Sequence, residues 1–326
     1  MLKKVIVASA LLLLTAWIVV VFVTPWPSVL VIRSVFDMGA AEASATLVPK
    51  VPKDVQVQEG LSYDPTDPDA LFDIYRGAGA SENGPTIVWF HGGGFVSGRR
   101  QDVSNYLKIL AGNGFTVVNM DYTIAPEATY PKPIRQANKA LAYLTKNRAA
   151  LRLNTNKIVL AGDSAGSQIA AQTAAMLTNH EYARVLGITP GASADQIAGT
   201  LLYCGVYDVT QMGSAGGILG WFVKSTTWAY SGERDWREAQ GFESMVIAPH
   251  VTSAFPRTFI SAGDADPLGP QSVALSGELT KHGVEVSELF FPAGHKPPLG
   301  HEYQFDLELE AGRVALKSSV EWLRAL

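Results

Sequence analysis

The chain has 326 residues, of which 47% are hydrophobic, and its formal net charge at pH 7 is −4. This apolar fraction is ample for a large core and excludes an intrinsically disordered chain, while the lack of basic excess argues against a nucleic-acid partner. The single cysteine, Cys204, excludes an intramolecular disulfide, and its place in the apolar run GTLLYCGVY predicts a buried core residue.

Residues 5–23 form an uninterrupted run without a charge. As a helix rising ~1.5 Å per residue, this run would be roughly 28 Å long, close to the ~30 Å hydrocarbon thickness of a bilayer. Two lysines precede it, and Trp17 and Trp26 lie towards its far end, where aromatic rings suit the membrane interface. We therefore expect a single-pass anchor in membrane lipid, with residues 1–4 in the cytoplasm and the remainder extracytoplasmic.

A cleaved signal peptide, giving a secreted or periplasmic protein, is the alternative for the same run. Ala43–Ala45 has the small-x-small pattern of a cleavage site, but it lies well beyond the end of the run. The run also exceeds the ~7–15 residues typical of a signal-peptide core, which favours the uncleaved anchor. The following segment, 24–50, is amphipathic and is expected either to lie along the membrane surface or to pack on the body as a cap helix.

From about residue 50 onwards, β-rich runs alternate with helical ones. The first two runs, split by the turn-rich DPTDPD, indicate an antiparallel pair, and the later buried runs interleaved with helices predict a mostly parallel sheet covered on both faces. The predicted fold is thus α/β, with one domain over residues 51–326. The predicted strands are 55–63, 71–76, 86–90, 115–122, 157–162, 199–207, 257–263 and 286–292, and the helices 102–114, 133–148, 165–178, 270–282 and 311–325.

Residues 209–249 interrupt this alternation, because they are rich in aromatic residues and contain no clear strand. A large insertion after a strand is typically a lid, so we expect a helical cap here. The aromatic residues of the insertion predict an apolar substrate pocket, with simple packing of the cap as the alternative. These residues are Trp221, Phe222, Trp228 and Tyr230.

The pentapeptide GDSAG at 162–166 lies between a predicted strand and a predicted helix. In this strand–turn–helix context, G-x-S-x-G predicts a strained turn that presents the hydroxyl of Ser164, while small neighbours avoid collision with the strand and the helix. A serine hydroxyl is a poor nucleophile until a base removes its proton. The sequence therefore requires a histidine and an acid elsewhere in the chain.

The chain order serine, acid, histidine restricts the candidates for these partners. SAGDADPL follows a predicted strand and offers Asp264 and Asp266, and the loop after the last strand offers His295 and His301. The order alone leaves both pairs open. HGGGF, at 91–95, also follows a strand, and its consecutive glycines allow backbone N–H groups to point at a developing oxyanion.

These motifs resemble those of the hormone-sensitive-lipase-like branch of the α/β-hydrolases, which includes many bacterial carboxylesterases. HGGGF resembles the oxyanion motif of that branch, MDYTIAPEATYP its D-Y-x-L-A-P-E segment, GDSAG its nucleophile elbow, and D-P-L with the later H-E-Y-Q-F its acid and base segments. The resemblance covers roughly residues 80–325. Thr123 departs from the usual arginine, which questions a structural contact and not the chemistry.

The resemblance implies an α/β-hydrolase fold and selects between the open candidates, favouring Asp266 as the acid and His301 as the base of Ser164. It assigns structural roles to Asp163 and Glu127. It also implies three backbone N–H donors of an oxyanion hole, those of Gly93, Gly94 and Ala165.

The predicted function is hydrolysis of short to medium acyl esters of small molecules through an acyl-enzyme intermediate, without a metal or an organic cofactor. An amidase or a small-molecule deacetylase with the same three residues is one alternative. A non-catalytic binding protein with a hydrolase fold is the other, and it is disfavoured because such proteins typically lack a member of the triad.

Overall fold

A computed structural model of the protein describes residues 22–212 and 216–326. The predicted anchor at 5–23 lies outside these residues, apart from its last two positions, as does the predicted cytoplasmic tip at 1–4. None of the helices in the described part of the chain has the length and hydropathy needed to cross a membrane.

Eight strands of the described residues form one sheet, in the order β1-β2-β4-β3-β5-β6-β7-β8. Strand β2 runs antiparallel to both β1 and β4, and all other neighbouring strands are parallel, so the predicted antiparallel opening and mostly parallel sheet are confirmed. The strands are β1 Gln56–Ser62, β2 Leu71–Arg76, β3 Thr86–Phe90, β4 Thr116–Met120, β5 Ile158–Asp163, β6 Ile197–Tyr203, β7 Thr258–Ala262 and β8 Val286–Phe290.

Helices cover both faces of the sheet. Because side chains alternate along a strand, Val88 and Phe90 of β3 belong to one apolar cluster, whereas Ile87 and Trp89 belong to another on the opposite face. The helices are α1 Trp26–Leu47, α2 Arg100–Gly112, α3 Lys132–Lys146, α4 Arg148–Leu151, α5 Ser164–Thr178, α6 His180–Leu186, α7 Gly217–Ser231, α8 Gly269–Lys281 and α9 Glu310–Arg324.

Two regions cover the carboxyl-terminal edge of the sheet. The described residues of the insertion at 209–249 form α7 and short 3₁₀ turns, with no strand among them. The segment 24–50 contributes α1, whose inner residues Val29 and Ile32 are buried. The rings of Phe36 and Phe222 lie 5.5 Å apart and join α1 to α7. Residues 24–50 therefore pack on the body as part of the cap.

Parallel strands place their carboxyl ends at one edge of the sheet, which is where ligands bind in open α/β sheets. The loops that follow β3, β5, β7 and β8 all leave from this edge. They carry the glycine motif, the serine elbow, the candidate acids and the candidate bases, respectively. The topology thus brings together side chains that are far apart along the chain.

Candidate active site

Ser164 is the first residue of α5 and follows β5 directly, and its backbone is in the left-handed region with φ 51°. The strand and the helix cross closely here, since a β-carbon on Gly166 would lie 1.9 Å from the carbonyl oxygen of Phe90. One on Gly162 would lie 2.5 Å from the Gly166 backbone. Only glycine fits at these two positions, and the tight turn holds Ser164 in a conformation that costs about 1–3 kcal/mol.

Three side chains from three separate loops converge at this turn. The hydroxyl oxygen of Ser164 lies 3.0 Å from Nε2 of His301, and Nδ1 of that ring lies 3.0 and 3.1 Å from the two carboxylate oxygens of Asp266. Asp266 is buried and also accepts a 2.8 Å hydrogen bond from the backbone N–H of Leu268. The arrangement has the connectivity of a Ser-His-Asp triad, with the imidazole held between the acid and the hydroxyl.

The two candidates that the resemblance disfavoured have other contacts. Nδ1 of His295 lies 2.8 Å from a backbone carbonyl oxygen in its own loop. Asp264 fastens the loop that carries His301, and its backbone hydrogen bonds, above all the one from Leu299, hold the pKa of its carboxyl below its usual value. The N–H groups that Asp264 accepts are those of Gly294, His295 and Leu299.

The ring of His301 is part of a polar cluster that includes Cys204. Burial by itself lowers the pKa of His301, but contacts with Cys204 and Asp266 raise it, and the net pKa is well above its usual value. Desolvation raises the pKa of the Cys204 thiol to about 11, so this thiol is neutral at pH 7. Because the thiol is neutral, we attribute the upward direction for His301 to the paired carboxylate.

Cys204 is buried as predicted, but its contact with the triad was not predicted. The thiol, the Asp266 carboxylate and the His301 ring have ligand atoms within 4.8 Å of one another, a spacing compatible with a metal site. In this structure the ring and the carboxylate hydrogen-bond to each other and the ring also reaches Ser164. That donor set fits a triad, whose chemistry is acid–base, better than a metal centre.

The glycine motif lies beside Ser164 and borders the same cavity. Gly93 and Gly94 have positive φ angles of 108° and 59°, and a β-carbon on Gly93 would lie 2.1 Å from the carbonyl oxygen of Ser97. Within residues 22–212 and 216–326, neither glycine N–H donates to a protein acceptor. Ala165 lies in the first turn of α5, where backbone N–H groups have no partner inside the helix. The glycine motif and the first turn of α5 thus both lie beside Ser164, and the oxyanion role of Gly93, Gly94 and Ala165 stays a prediction.

Asp163 ties the glycine motif to the serine elbow. This buried carboxylate accepts hydrogen bonds of 2.8 Å from Trp89 Nε1 and from the N–H of Gly92. Burial first, and then the nearby charge of Glu302, raise its pKa well above the usual value. A structural role for Asp163, implied by the resemblance, agrees with these contacts.

Glu302 is a site residue that the sequence analysis did not single out. Its carboxylate lies 3.8 Å from Nε2 of His301, and its backbone has a positive φ of 61°. Its position directly after His301 was the one available signal, but a glutamate in a loop is ordinarily solvated. The carboxylate adds a second negative charge beside the imidazole.

A cavity of about 540 Å³ lies over Ser164 and His301 and has a mostly apolar lining. Of the four aromatic residues predicted to line it, Phe222 and Tyr230 do so. The prediction was wrong for two residues, Trp221 and Trp228. An α-helix turns about 100° per residue, so these two lie on other faces of α7 than Phe222 and Tyr230. Trp221 is largely at the surface, and the Trp228 ring lies 5.7 Å from the guanidinium of Arg234.

Comparison with known proteins places this chain in a family. Residues 87–295 match the family described as having the alpha/beta hydrolase fold. The chain belongs to this α/β-hydrolase family, and the predicted α/β-hydrolase fold with a mostly parallel sheet is confirmed, whereas the predicted transmembrane helix stays a prediction. It is also similar to an AB hydrolase superfamily protein of Schizosaccharomyces pombe, with 28% identity over 260 residues, covering 77% of this chain and 74% of the yeast protein.

Solved structures of two esterases have the same fold. Esterase B from Lactobacillus rhamnosis superposes with a TM-score of 0.77 at 22% identity, over 92% of this chain and 94% of that protein. An esterase of Pyrobaculum calidifontis superposes with a TM-score of 0.72 at 22% identity, over 91% of this chain and 93% of its own. A further structure shows esterase B with a C4-C4 SN3 tributyrin phosphonate inhibitor.

Proposed function

We propose that this protein is a serine carboxylesterase whose nucleophile is Ser164. The observation that carries the proposal is the unbroken chain of contacts from the Ser164 hydroxyl through His301 to Asp266, at 3.0 Å each, beneath an apolar cavity. A non-catalytic binding protein would have no need for this alignment or for the strained turn beneath it. The esterases that share the fold support the same reaction class.

The reaction begins when Ser164 attacks the ester carbonyl while His301 accepts the hydroxyl proton. Asp266 fixes the tautomer of the ring and stabilises the imidazolium. The N–H groups of Gly93, Gly94 and Ala165 stabilise the oxyanion, each donor contributing about 2.7–4 kcal/mol by analogy with other such sites.

His301 then returns the proton to the departing alcohol, which leaves an acyl-enzyme on Ser164. Water attacks the acyl-enzyme with His301 again acting as the base, and the carboxylic acid leaves. The negative charge of Glu302, close to Nε2 of His301, favours the charged ring during both steps.

Short to medium acyl esters of small molecules are the proposed substrates. A cavity of about 540 Å³ falls within the ~300–1,000 Å³ range of small-molecule sites, and Phe222 and Tyr230 give it apolar walls. The C4-C4 SN3 tributyrin phosphonate inhibitor of esterase B, a protein with the same fold, supports this choice of substrates.

A fluorophosphonate probe tests the nucleophile directly, because it reacts covalently with an activated serine. We expect labelling of the wild-type protein and none of Ser164→Ala, with folding of the variant checked by circular dichroism. His301→Ala should abolish labelling, whereas His295→Ala should retain it. Labelling of Ser164→Ala, or loss of labelling in His295→Ala alone, would overturn the assignment.

A p-nitrophenyl ester series from acetate to palmitate tests the substrate class, and p-nitroanilides of the same acyl groups test the amidase alternative. We expect the highest kcat/KM between two and eight acyl carbons, and slower turnover of each anilide than of its ester. A steady rise to palmitate would contradict the acyl preference, and faster anilide turnover would favour the amidase.

We also propose that residues 5–23 anchor the protein in a membrane with the catalytic domain on the extracytoplasmic side, on the strength of their length and hydropathy. The full chain should then stay with membranes after an alkaline carbonate wash. Leu13→Arg places a charge in the middle of the run at a cost of about 2.5–3.5 kcal/mol and should release part of it. Complete release of the wild-type chain would contradict the anchor.

A further inference from the structure

Helix α1 carries apolar residues on both faces, since Val29 and Ile32 are buried against the body while other large apolar side chains are exposed. A helix that covers a protein normally turns its apolar face inwards and its charges to water. In α1, the guanidinium of Arg33 turns inwards, where it donates to the carbonyl oxygens of Val96 at 2.6 Å and Ala125 at 2.9 Å and pairs with Glu127 at 2.5 Å. The opposite face of the helix carries exposed aliphatic side chains.

Helices α1 and α7 contact each other through the partly buried rings of Phe36 and Phe222, and both carry exposed apolar side chains on either side of this contact. Seven large apolar side chains of the two helices expose between 41% and 85% of their surface, and we refer to them together as the rim. An exposed apolar surface of this kind typically marks an interaction site. The rim consists of Leu30, Val31, Val35 and Met38 of α1 and Ile218, Leu219 and Trp221 of α7.

The cavity over Ser164 opens within the rim. Val35 and Leu219 line the cavity and are also exposed at the surface, so each lies at the mouth. Gly39 and Ala43, one and two helical turns after Val35, are exposed lining residues as well. A substrate entering between α1 and α7 therefore passes the rim before it reaches the serine.

The sequence before α1 indicates what covers the rim. The uncharged run at 5–23 ends two residues before α1 begins at Trp26, and two extended residues span at most about 7 Å. If this run is embedded in a bilayer, α1 must begin at the surface of that bilayer. The rim side chains are themselves uncharged, and the exposed charges beside them, Asp37 and Glu42 of α1 and Lys224 of α7, suit the headgroup level that an interfacial helix also contacts.

We propose that the rim docks on the lipid bilayer, so that the cavity opens into the acyl-chain region and the enzyme takes its ester substrates from the membrane. This proposal rests on the proposed esterase activity and anchor. It defines the substrate class further, as neutral esters that partition into lipid. It also unites the two positions considered for residues 24–50, since the inner face of α1 packs on the body while the outer face meets lipid.

Docking and catalysis can be tested separately with two esters that have the same acyl group, one dissolved in water and one held in the bilayer. The full chain is reconstituted into phosphatidylcholine vesicles and assayed with p-nitrophenyl butyrate, which reaches it from water, and with hexadecyl butyrate, which is held in the bilayer. The triple variant Leu30→Glu, Met38→Glu, Ile218→Glu changes rim residues that do not line the cavity.

We expect this variant to hydrolyse hexadecyl butyrate at least fivefold more slowly than the wild type, and to hydrolyse p-nitrophenyl butyrate at a rate within twofold of the wild type. Val185→Glu with Val273→Glu is the matched control, because both valines are exposed but lie on α6 and α8. This control should keep both rates. Equal turnover of hexadecyl butyrate by the wild type and the rim variant would overturn the proposal.

Fluorescence gives a second measurement that does not depend on activity. The emission of Trp221 is obtained as the difference between the wild type and Trp221→Phe. In vesicles with brominated acyl chains this emission should be quenched, and the rim variant should show less quenching. Absence of quenching would overturn the docking proposal. Cross-linking that detects a dimer of the wild type but not of the rim variant would also overturn it, because the rim would then be a dimer interface. If the wild type does not hydrolyse p-nitrophenyl butyrate at all, the esterase proposal itself is refuted.

Discussion

The loops that carry the triad and the helices that cover it are held in place in different ways. Polar contacts fix the loops, as where the buried Asp163 joins the glycine motif to the elbow and the partly buried Asp264 fastens the loop of His301. The covering helices rely on apolar packing and on the polar contacts of Arg33. The difference indicates that the reacting groups are held rigidly while the cover can adapt to its surroundings.

The largest effect is expected where the acid itself is changed. Asp266→Asn keeps the size of the side chain but removes the charge that holds His301 in the productive tautomer, so kcat should fall about 10⁴-fold. Asp264→Asn is the matched control, since Asp264 fastens the loop that carries His301 without contacting its ring, and it should lower kcat by less than tenfold. Esterase kinetics of the two purified variants check this, and equal losses would show that the acid is misassigned.

The next largest effect is expected at the turn that holds Ser164, and it is measured as the free energy of unfolding. Gly166→Ala would place its β-carbon 1.9 Å from the Phe90 carbonyl oxygen, and because backbone lies on both sides we expect a loss of about 3 kcal/mol or more in the free energy of unfolding. Gly277 of α8 has open space around its α-carbon, so Gly277→Ala should instead stabilise the protein by about 0.5–1 kcal/mol. Urea unfolding measures both, and a tolerated Gly166→Ala would contradict the tight crossing.

The raised pKa of His301 predicts how activity depends on pH. The base must be neutral to accept the serine proton, so kcat/KM should fall about tenfold per pH unit below the pKa of this histidine. A raised folded-state pKa also means that protonated His301 stabilises the fold below its unfolded pKa of about 6.5, and that this contribution is lost as the pH rises through the folded value. As the pH rises, activity therefore increases while the stabilisation of the fold by protonated His301 decreases.

A pH–rate profile checks this expectation. The acid limb of the wild type should lie above pH 6.5, and in the residual activity of Asp266→Asn it should move to lower pH because the stabilising carboxylate is gone. A wild-type limb at or below the ordinary histidine value would contradict the direction of the shift.

The smallest effect is expected in the helices that cover the site. Arg33→Met keeps the packing of the side chain but removes its hydrogen bonds to two carbonyls and to Glu127, which should cost about 1–2 kcal/mol of stability and raise KM more than it lowers kcat. Arg237→Met removes an exposed pair and should cost about 0.5 kcal/mol or less. A large fall in kcat for Arg33→Met would show that the cover also sets the geometry of the triad.

The sequence predicted the sheet and the elbow because their signals are local. Buried runs such as 86–90 and the glycines around Ser164 specify strands and a tight turn without reference to distant residues. The choice between Asp264 and Asp266 required the resemblance, because the contacts that separate them involve a loop some thirty residues away. The orientation of Trp221 depends on how α7 is rotated against α1, which neither segment specifies alone.

The lining of the cavity by α1 limits how far the amino-terminal segment can be shortened without damage to the site. A cut at residue 51, where the sequence alone places the start of the catalytic domain, would remove Phe36, Ala40 and Leu47 from the wall beside the serine. The shortened chain would keep its triad yet hold its acyl groups poorly. Truncation should stop ahead of Trp26, so that the wall remains and only the uncharged run is lost.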